Sequence, residues 1–305
     1  MTTKTIIKKK KTDKFLLSPG HRACAGCGQM IAARTVLESL GPDTIIANGT
    51  GCLEVTTTPY PESAWSVPWI HSLFENPAAV ASGISAALRQ KGEDKRIKVV
   101  AQSGDGGTFD IGFGLLSGMW ERNENILFIC YDNEAYSNTG MQASGATPYG
   151  AKTTTTPIGD VGFIGSLQRK KDMIAIALAH NVPYVAETTV GFIEDIKTKI
   201  KKARSIEGPS YIQILSPCVP GWGTKPENSM KVARLAVQTG LYPAIEYVNG
   251  ELTNVIKVPQ KTPQVREYLS LQGRFKHLFK DKKGAEQIKL IQRLADENIV
   301  KYKLK

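Results

Sequence analysis

Apolar residues along this chain occur in short, nearly continuous runs that alternate with longer segments of helical spacing. Continuous apolar runs are typical of strands buried on both faces of a sheet, whereas apolar positions three and four residues apart indicate amphipathic helices. The pattern predicts strands at residues 44–47, 97–101, 126–131, 184–187 and 210–215, and helices at residues 31–40, 76–90, 172–180 and 191–205. Because strands and helices alternate, we expect an α/β fold with a doubly wound, mostly parallel sheet.

The same pattern divides the chain into three parts. Residues 1–18 are predicted to be a basic N-terminal tail, residues 19–225 the main domain and residues 226–305 a C-terminal extension. Within the extension, residues 281–301 have amphipathic helical spacing. We therefore expect the extension to serve subunit packing rather than chemistry.

Two polar clusters follow neighbouring predicted strands. Residues 104–107, with the sequence GDGG, follow the strand at 97–101, and residues 132–138, with the sequence DNEAYSN, follow the strand at 126–131. The residues between them have helical spacing, which predicts a strand-helix-strand crossover. Since ligands of open parallel sheets bind beyond the carboxyl ends of the strands, both clusters are predicted to face one site.

The residue types in these clusters suit a metal ion and a diphosphate group. Mg²⁺ prefers oxygen ligands, which the Asp105 carboxylate, the Asn133 side-chain amide and the Ala135 carbonyl would provide. The start of the following helix would offer free N–H groups to an anion. The backbone could also approach phosphate oxygens closely at three glycines, Gly104, Gly106 and Gly107. The alternative is that this Gly-Asp-Gly segment forms only a turn.

The five cysteines fall into two kinds of context. Cys130 lies inside the apolar strand at 126–131 and is predicted to be a core residue. The others lie in irregular segments, where thiolates can converge on an inorganic centre: Cys24, Cys27, Cys52 and Cys218. Four such cysteines suit either a zinc ion or an iron–sulfur cluster, and their spacing does not separate the two.

Taken together, GDGG at 104–107 and DNEAYSNTGMQ at 132–142 resemble the thiamine-diphosphate motif of the 2-oxoacid:ferredoxin oxidoreductases. The resemblance extends from about residue 20 to about residue 223. It is close to the beta subunits of the pyruvate-converting members of that family. It implies the diphosphate-binding half of a thiamine-diphosphate-binding fold, followed by a C-terminal extension.

The resemblance also implies roles for individual residues. Asp105, Asn133 and the Ala135 carbonyl would hold Mg²⁺, and Asn138 would lie near the thiazolium ring and the substrate as a catalytic residue. The glycines that would bind the cofactor are Gly51, Gly104, Gly106 and Gly107. In the family, a CxxC, a GTGC and an SPC segment hold one four-iron four-sulfur cluster, and all four positions match here: Cys24, Cys27, Cys52 and Cys218.

By the same resemblance, the reaction is the reversible conversion of pyruvate, coenzyme A and oxidised ferredoxin to acetyl-CoA, CO₂ and reduced ferredoxin. The chain would act only with alpha, gamma and delta subunits, or with fusions of them. In this family the glutamate that activates thiamine comes from a separate pyrimidine-binding domain. Glu54, Glu75 and Glu134 are therefore not expected to play that part.

His71 is a further candidate catalytic residue. It lies between a turn and the helix predicted at residues 76–90, a helix rich in small residues. From there it could contact the cofactor or the substrate. A structural hydrogen bond would explain this histidine equally well.

The formal net charge of +11 comes partly from lysine clusters near both ends of the chain. A basic surface suits solubility, an acidic partner subunit or an acidic electron carrier, and no recognition motif indicates nucleic-acid binding. No apolar stretch suits a signal peptide or a membrane helix. We therefore expect a cytoplasmic protein with no membrane partner.

Two alternatives remain on the sequence alone. The same scaffold could act on oxalate, 2-oxoisovalerate or an aryl glyoxylate instead of pyruvate. More remotely, the four loop cysteines could bind structural zinc in a basic binding protein that has no enzymatic activity.

Overall fold

One large sheet forms the centre of the fold in the computed structural model, which describes residues 15–59, 61–159 and 164–305. The predicted basic tail, residues 1–18, therefore lies mostly outside the described residues. In chain order, the strands are β1 (Thr44–Gly49), β2 (Trp69–Ser72), β3 (Lys98–Gly104), β4 (Ile126–Asp132), β5 (Tyr184–Thr189), β6 (Ser210–Leu215), β7 (Ile245–Val248) and β8 (Glu251–Val255).

The order of strands across the sheet is β2-β1-β3-β4-β6-β5-β7-β8. Every neighbouring pair from β2 to β5 is parallel, whereas β7 is antiparallel to both β5 and β8. From β1, the chain places β2 on one side and all later strands on the other side. This topology confirms the expected doubly wound, mostly parallel α/β fold.

Helices cover both faces of the sheet. The α-helices are α1 (Gly28–Leu40), α2 (Cys52–Thr57), α3 (Pro77–Lys91), α4 (Phe113–Glu121), α5 (Met173–Ala179), α6 (Ile193–Ser205), α7 (Val219–Trp222), α8 (Ser229–Gln238), α9 (Val265–Ser270) and α10 (Lys282–Lys301). A π-helical turn, Gly106–Ile111, links β3 to α4. Among the residues that the structure describes, no helix combines the length and apolarity needed to cross a bilayer.

Alternate side chains of the central strands enter two separate apolar cores. Ile129 faces the core beneath α1 and α6, whereas Phe128 and Cys130 face the core beneath α3, α4 and α5. All of β4 is buried, as its continuous apolar run predicts. Cys130 is a core residue, as expected.

Two parts of the sheet were not predicted from the sequence. The edge strand β2 has only four residues, and its middle residues Ile70 and His71 are exposed, so it lacks the apolar run of the central strands. β7 and β8 are joined by Asn249 and Gly250, which both have positive φ, at 50° and 82°. An Asn-Gly pair between extended segments favours this kind of hairpin.

The chain after residue 225 is continuous with the main fold. β7 and β8 extend the central sheet, and α8, α9 and α10 enclose a third apolar core around Trp222 and Phe275. The predicted helix at 281–301 corresponds to α10. Packing of this extension against other subunits stays a prediction.

Candidate functional site

A cavity of about 290 Å³ lies at the carboxyl ends of β1, β3 and β4. The loops that follow these three strands line it, as expected for an open parallel sheet. The sequence-predicted residues on its wall are Gly51, Gly104, Asp105, Gly106, Asn133, Ala135 and Asn138. Residues that sequence reasoning missed also line it, including Thr50, Phe74 and Tyr136. The two polar clusters therefore do form one site.

Asp105 is the buried charge of this cavity. It is 1% exposed, and its carboxylate accepts hydrogen bonds from the Asn133 N–H at 3.1 Å and from the Ser144 hydroxyl at 2.5 Å. Burial, together with the nearby charge of Asp132, raises the pKa of Asp105 to about 8. In the described part of the chain, no Lys, Arg or His side chain forms an ion pair with Asp105. A cation is what such a carboxylate needs to remain charged.

The other two predicted metal ligands meet Asp105. The Asn133 side-chain Oδ1 atom lies about 2.8 Å from the Ala135 carbonyl oxygen and about 3.2 Å from the Asp105 Oδ1 atom. The same oxygen accepts a hydrogen bond from the Ser137 hydroxyl at 2.7 Å. Three predicted oxygen ligands therefore surround one point.

The glycines after Asp105 are required by close approach. A Cβ atom at Gly106 would lie 2.4 Å from the Tyr136 ring, and one at Gly107 would lie 2.2 Å from the Ser103 hydroxyl oxygen. Gly107 supports the cavity from behind, since it packs on Ser103 and Phe74. Only glycine allows the chain to fold this tightly at the carboxyl end of β3.

The four loop cysteines surround a second cavity of about 240 Å³. Its walls include Cys24, Cys27, Cys52 and Cys218. They come from the loop before α1, the first residue of α2 and the residue before α7. Among the residues for which the structure gives positions, no group of three or more His, Cys, Asp or Glu side chains could hold a single metal ion.

Close backbone packing brings these loops together. Gly28, at the start of α1, donates its N–H to the Pro217 carbonyl at 3.1 Å, and a Cβ atom at Gly28 would lie 2.6 Å from Pro217 N. The Gly221 N–H points at the Cys218 Sγ atom at 3.4 Å. Burial raises the pKa of the Cys218 thiol, as it does for the other two enclosed thiols. These thiols need a cation or hydrogen-bond donors to become thiolates.

The two cavities share a wall. It contains Cys52, Asn133, Ser137 and Asn138, and the Cys52 Sγ atom lies 3.7 Å from the Asn138 Oδ1 atom. A group in one cavity would thus be separated from a group in the other by single side chains.

His71 lies behind the first cavity rather than on its wall. Its Nε2 atom is 2.8 Å from the hydroxyl of Thr50, which does line the cavity, and its Nδ1 atom is 3.9 Å from the Glu54 carboxylate. The structure therefore connects His71 to the cavity through Thr50. Its catalytic role stays a prediction.

Glu134 is held in a buried ion network. Lys170 and Arg274 donate to its carboxylate at 2.9 and 2.5 Å. Although burial opposes ionisation, the charges of Lys170 and Arg274 hold the pKa of Glu134 below its usual range. Its carboxylate is therefore engaged within this chain, and the expectation that Glu134 does not activate thiamine stays a prediction.

The sequence of this chain is similar to those of known proteins. Residues 25–214 match the family described as thiamine pyrophosphate enzyme, C-terminal TPP binding domain. The chain is 52% identical over 295 residues to the pyruvate synthase subunit PorB of Methanosarcina barkeri, covering 97% of this chain and 99% of that protein. It is 54% identical over 286 residues to the PorB subunit of Methanocaldococcus jannaschii, covering 92% and 94%.

Two further proteins match this chain, one in sequence and one in structure. The ketoisovalerate oxidoreductase subunit VorB of Pyrococcus furiosus is 46% identical over 268 residues, covering 86% of each chain. A solved structure of 2-oxoglutarate:ferredoxin oxidoreductase from Magnetococcus marinus superposes with a TM-score of 0.55 at 24% identity, covering 70% of this chain and 76% of that one. At this identity the structural match shows the fold alone.

Proposed function

This chain belongs to the family of pyruvate synthase PorB subunits, and on that premise we propose that it acts on pyruvate in a multi-subunit enzyme. The products would be acetyl-CoA, CO₂ and reduced ferredoxin. The observation that carries the proposal is the shared wall between a cavity suited to thiamine diphosphate and a cavity lined by four cysteines. A reaction that breaks a bond at one group and passes electrons to another needs this adjacency.

The first cavity fits a diphosphate with Mg²⁺. Asp105 offers a buried carboxylate with two hydrogen bonds and no ion-pair partner among the described residues. The Asn133 Oδ1 atom lies within about 3.2 Å of both the Ala135 carbonyl oxygen and the Asp105 carboxylate. We propose that Asp105, Asn133 and Ala135 hold Mg²⁺, because the donor set is the hard oxygen set that this ion prefers.

The second cavity fits a cluster better than a single zinc ion. Thiolates around one tetrahedral zinc lie about 3.8 Å apart, because each Zn–S bond is about 2.3 Å long. Here the thiols surround a cavity of about 240 Å³, and no three of the described acidic, histidine or cysteine side chains could hold one ion. We propose one 4Fe–4S cluster held by Cys24, Cys27, Cys52 and Cys218. The five free cysteines suit a reducing compartment, and we propose the cytoplasm.

The residues of this chain position the reacting groups. When bound, thiamine diphosphate supplies the nucleophilic carbon and the electron sink for decarboxylation, and the cluster accepts electrons singly. Asn138, on the shared wall, is placed to hydrogen-bond to substrate from the side nearest Cys52. Thr50 connects the cavity to His71, which could take or give a proton through the Thr50 hydroxyl.

Other subunits are needed to complete the site. Because Lys170 and Arg274 hold the Glu134 carboxylate within this chain, we assign the thiamine-activating carboxylate to a partner. Exposed apolar side chains on and near α2 and β2 suit contact with such a partner: Val55, Ile70 and Leu73. We propose alpha, gamma and delta subunits, or fusions of them, as partners, with coenzyme A and ferredoxin as co-substrates.

A specific observation favours 2-oxoisovalerate as an alternative substrate. The VorB relative, named for ketoisovalerate, is 46% identical to this chain, which lies within the range of 43% to 54% found for PorB relatives. The alternative function is therefore the oxidation of a branched 2-oxoacid on the same scaffold.

Substrate choice is tested with the complete complex. We expect kcat/KM for pyruvate to exceed that for 2-oxoisovalerate at least about tenfold, because a pocket shaped for a methyl group rejects added carbons by about this much. Ferredoxin reduction by the anaerobically purified complex measures both, with oxalate and an aryl glyoxylate alongside. Equal or better use of 2-oxoisovalerate would contradict the pyruvate assignment.

The metal site predicts the effect of Ser144→Ala. Loss of the hydroxyl that donates to Asp105 should weaken Mg²⁺-dependent thiamine diphosphate binding about 10- to 100-fold, as for other groups that orient metal ligands. Calorimetric titration of the complex measures it. Ser39→Ala is the matched control, because the Ser39 hydroxyl donates to the Thr35 carbonyl within α1, away from the cavity. Equal affinity in the two variants would count against the metal site.

The cluster predicts a contrast between two cysteines. Cys218→Ala should lose most of the iron and the reduced-cluster signal in electron paramagnetic resonance, because it removes a ligand from the second cavity. Cys130→Ala should keep both, since Cys130 is buried in a separate core. Iron content and the spectrum after dithionite reduction measure the difference. A colourless wild-type protein with about one zinc and no iron would overturn the cluster.

A further inference from the structure

The loop that carries two of the proposed metal ligands has an unfavourable backbone conformation at its centre. Glu134, between Asn133 and Ala135, has a φ of 66°. A left-handed conformation is unfavourable for a residue with a side chain, so its surroundings must hold it. The Glu134 N–H donates to Asp132 at 3.1 Å, and the Thr147 hydroxyl donates to the Glu134 carbonyl at 2.8 Å.

The side chain of Glu134 is held more firmly still. Lys170 donates to one carboxylate oxygen at 2.9 Å, and Arg274 donates to the other at 2.5 Å. Lys170 also pairs with Asp132 at 2.5 Å. Arg274 is in turn fixed by Gln272, whose side-chain oxygen accepts from its Nε atom at 2.9 Å. Glu134 and Arg274 are both largely buried, so this network is shielded from water.

A second contact holds the neighbouring residue, Asn133, in position. The Trp222 indole N–H donates to the Asn133 carbonyl at 2.8 Å, and the Arg274 guanidinium lies 3.8 Å from the centre of the Trp222 ring. Arg274 therefore holds Glu134 directly and, by stacking on Trp222, supports the contact to Asn133. Trp222 ends α7, the short helix that begins directly after Cys218.

We propose that Arg274 is a positioning residue for the metal site, acting through Glu134 and Trp222 on the Asn133–Ala135 loop. This inference rests on the proposed function. By holding Glu134 in its left-handed conformation, Arg274 turns the Asn133 side chain and the Ala135 carbonyl toward Asp105. The C-terminal part of the chain thereby shapes the cofactor site of the main domain, about 140 residues earlier in the sequence.

An ordinary buried ion pair would affect stability alone, so the test separates stability from metal affinity. In the anaerobically purified complex, Arg274→Gln should weaken Mg²⁺ binding at saturating thiamine diphosphate about 10- to 100-fold. Excess Mg²⁺ should restore cofactor binding. Arg274→Lys, which keeps one donor and the charge, should lose less. Trp222→Phe, which keeps the ring but not the N–H, should also weaken Mg²⁺ binding.

The control is Lys199→Gln, which breaks another buried ion pair, with Asp195 at 2.7 Å. It should lower the unfolding temperature as Arg274→Gln does but leave Mg²⁺ affinity unchanged. Unchanged Mg²⁺ affinity in Arg274→Gln would overturn the inference, as would equal losses in Arg274→Gln and Lys199→Gln.

Two further results are decisive. If Arg274→Gln does not fold, wild-type Mg²⁺ affinity in both Arg274→Lys and Trp222→Phe would overturn the inference. A wild-type complex that binds thiamine diphosphate without any divalent ion would overturn the proposed metal site itself, and the inference with it.

Discussion

The parallel register of β3, β4 and β6 is the constraint on which both cavities depend. Tyr131 of β4 lies beside Gly104 of β3, and Asp132 lies beside Leu215 of β6. The next residue of each strand therefore emerges at the same edge, where Asn133 donates its N–H to Asp105 at 3.1 Å. A slip of one residue would reverse every buried side chain, so the two cores fix the register and with it the site.

The same edge explains why the two cavities lie so close together. The chain leaves β4 through Asn133 and leaves β6 toward Cys218, while Gly28 of α1, directly after Cys27, packs onto the Pro217 backbone. Thiamine diphosphate and a cluster would thus meet across Cys52 and Asn138. In the proposed function, this wall is the route by which electrons leave the substrate.

The sequence predicted those parts of the site whose signals are local. The strand ends, Asp105 and the cysteines in irregular segments follow from runs and motifs a few residues long. Ser144, Trp222 and Arg274 could not be found this way, because their roles depend on contacts with Asp105 and the Asn133 loop made through folding. β2 was missed for a similar reason, since pairing with β1 rather than its own composition makes it a strand.

The central claim is that the two cavities hold thiamine diphosphate and an iron–sulfur cluster on either side of one wall. A crystal structure of the anaerobically purified complex with thiamine diphosphate and Mg²⁺, measured at the iron absorption edge, tests it most directly. The account predicts anomalous density among Cys24, Cys27, Cys52 and Cys218, with cofactor density across Asn138 from it. Iron density absent from these cysteines, or cofactor density away from Asp105, would contradict the account.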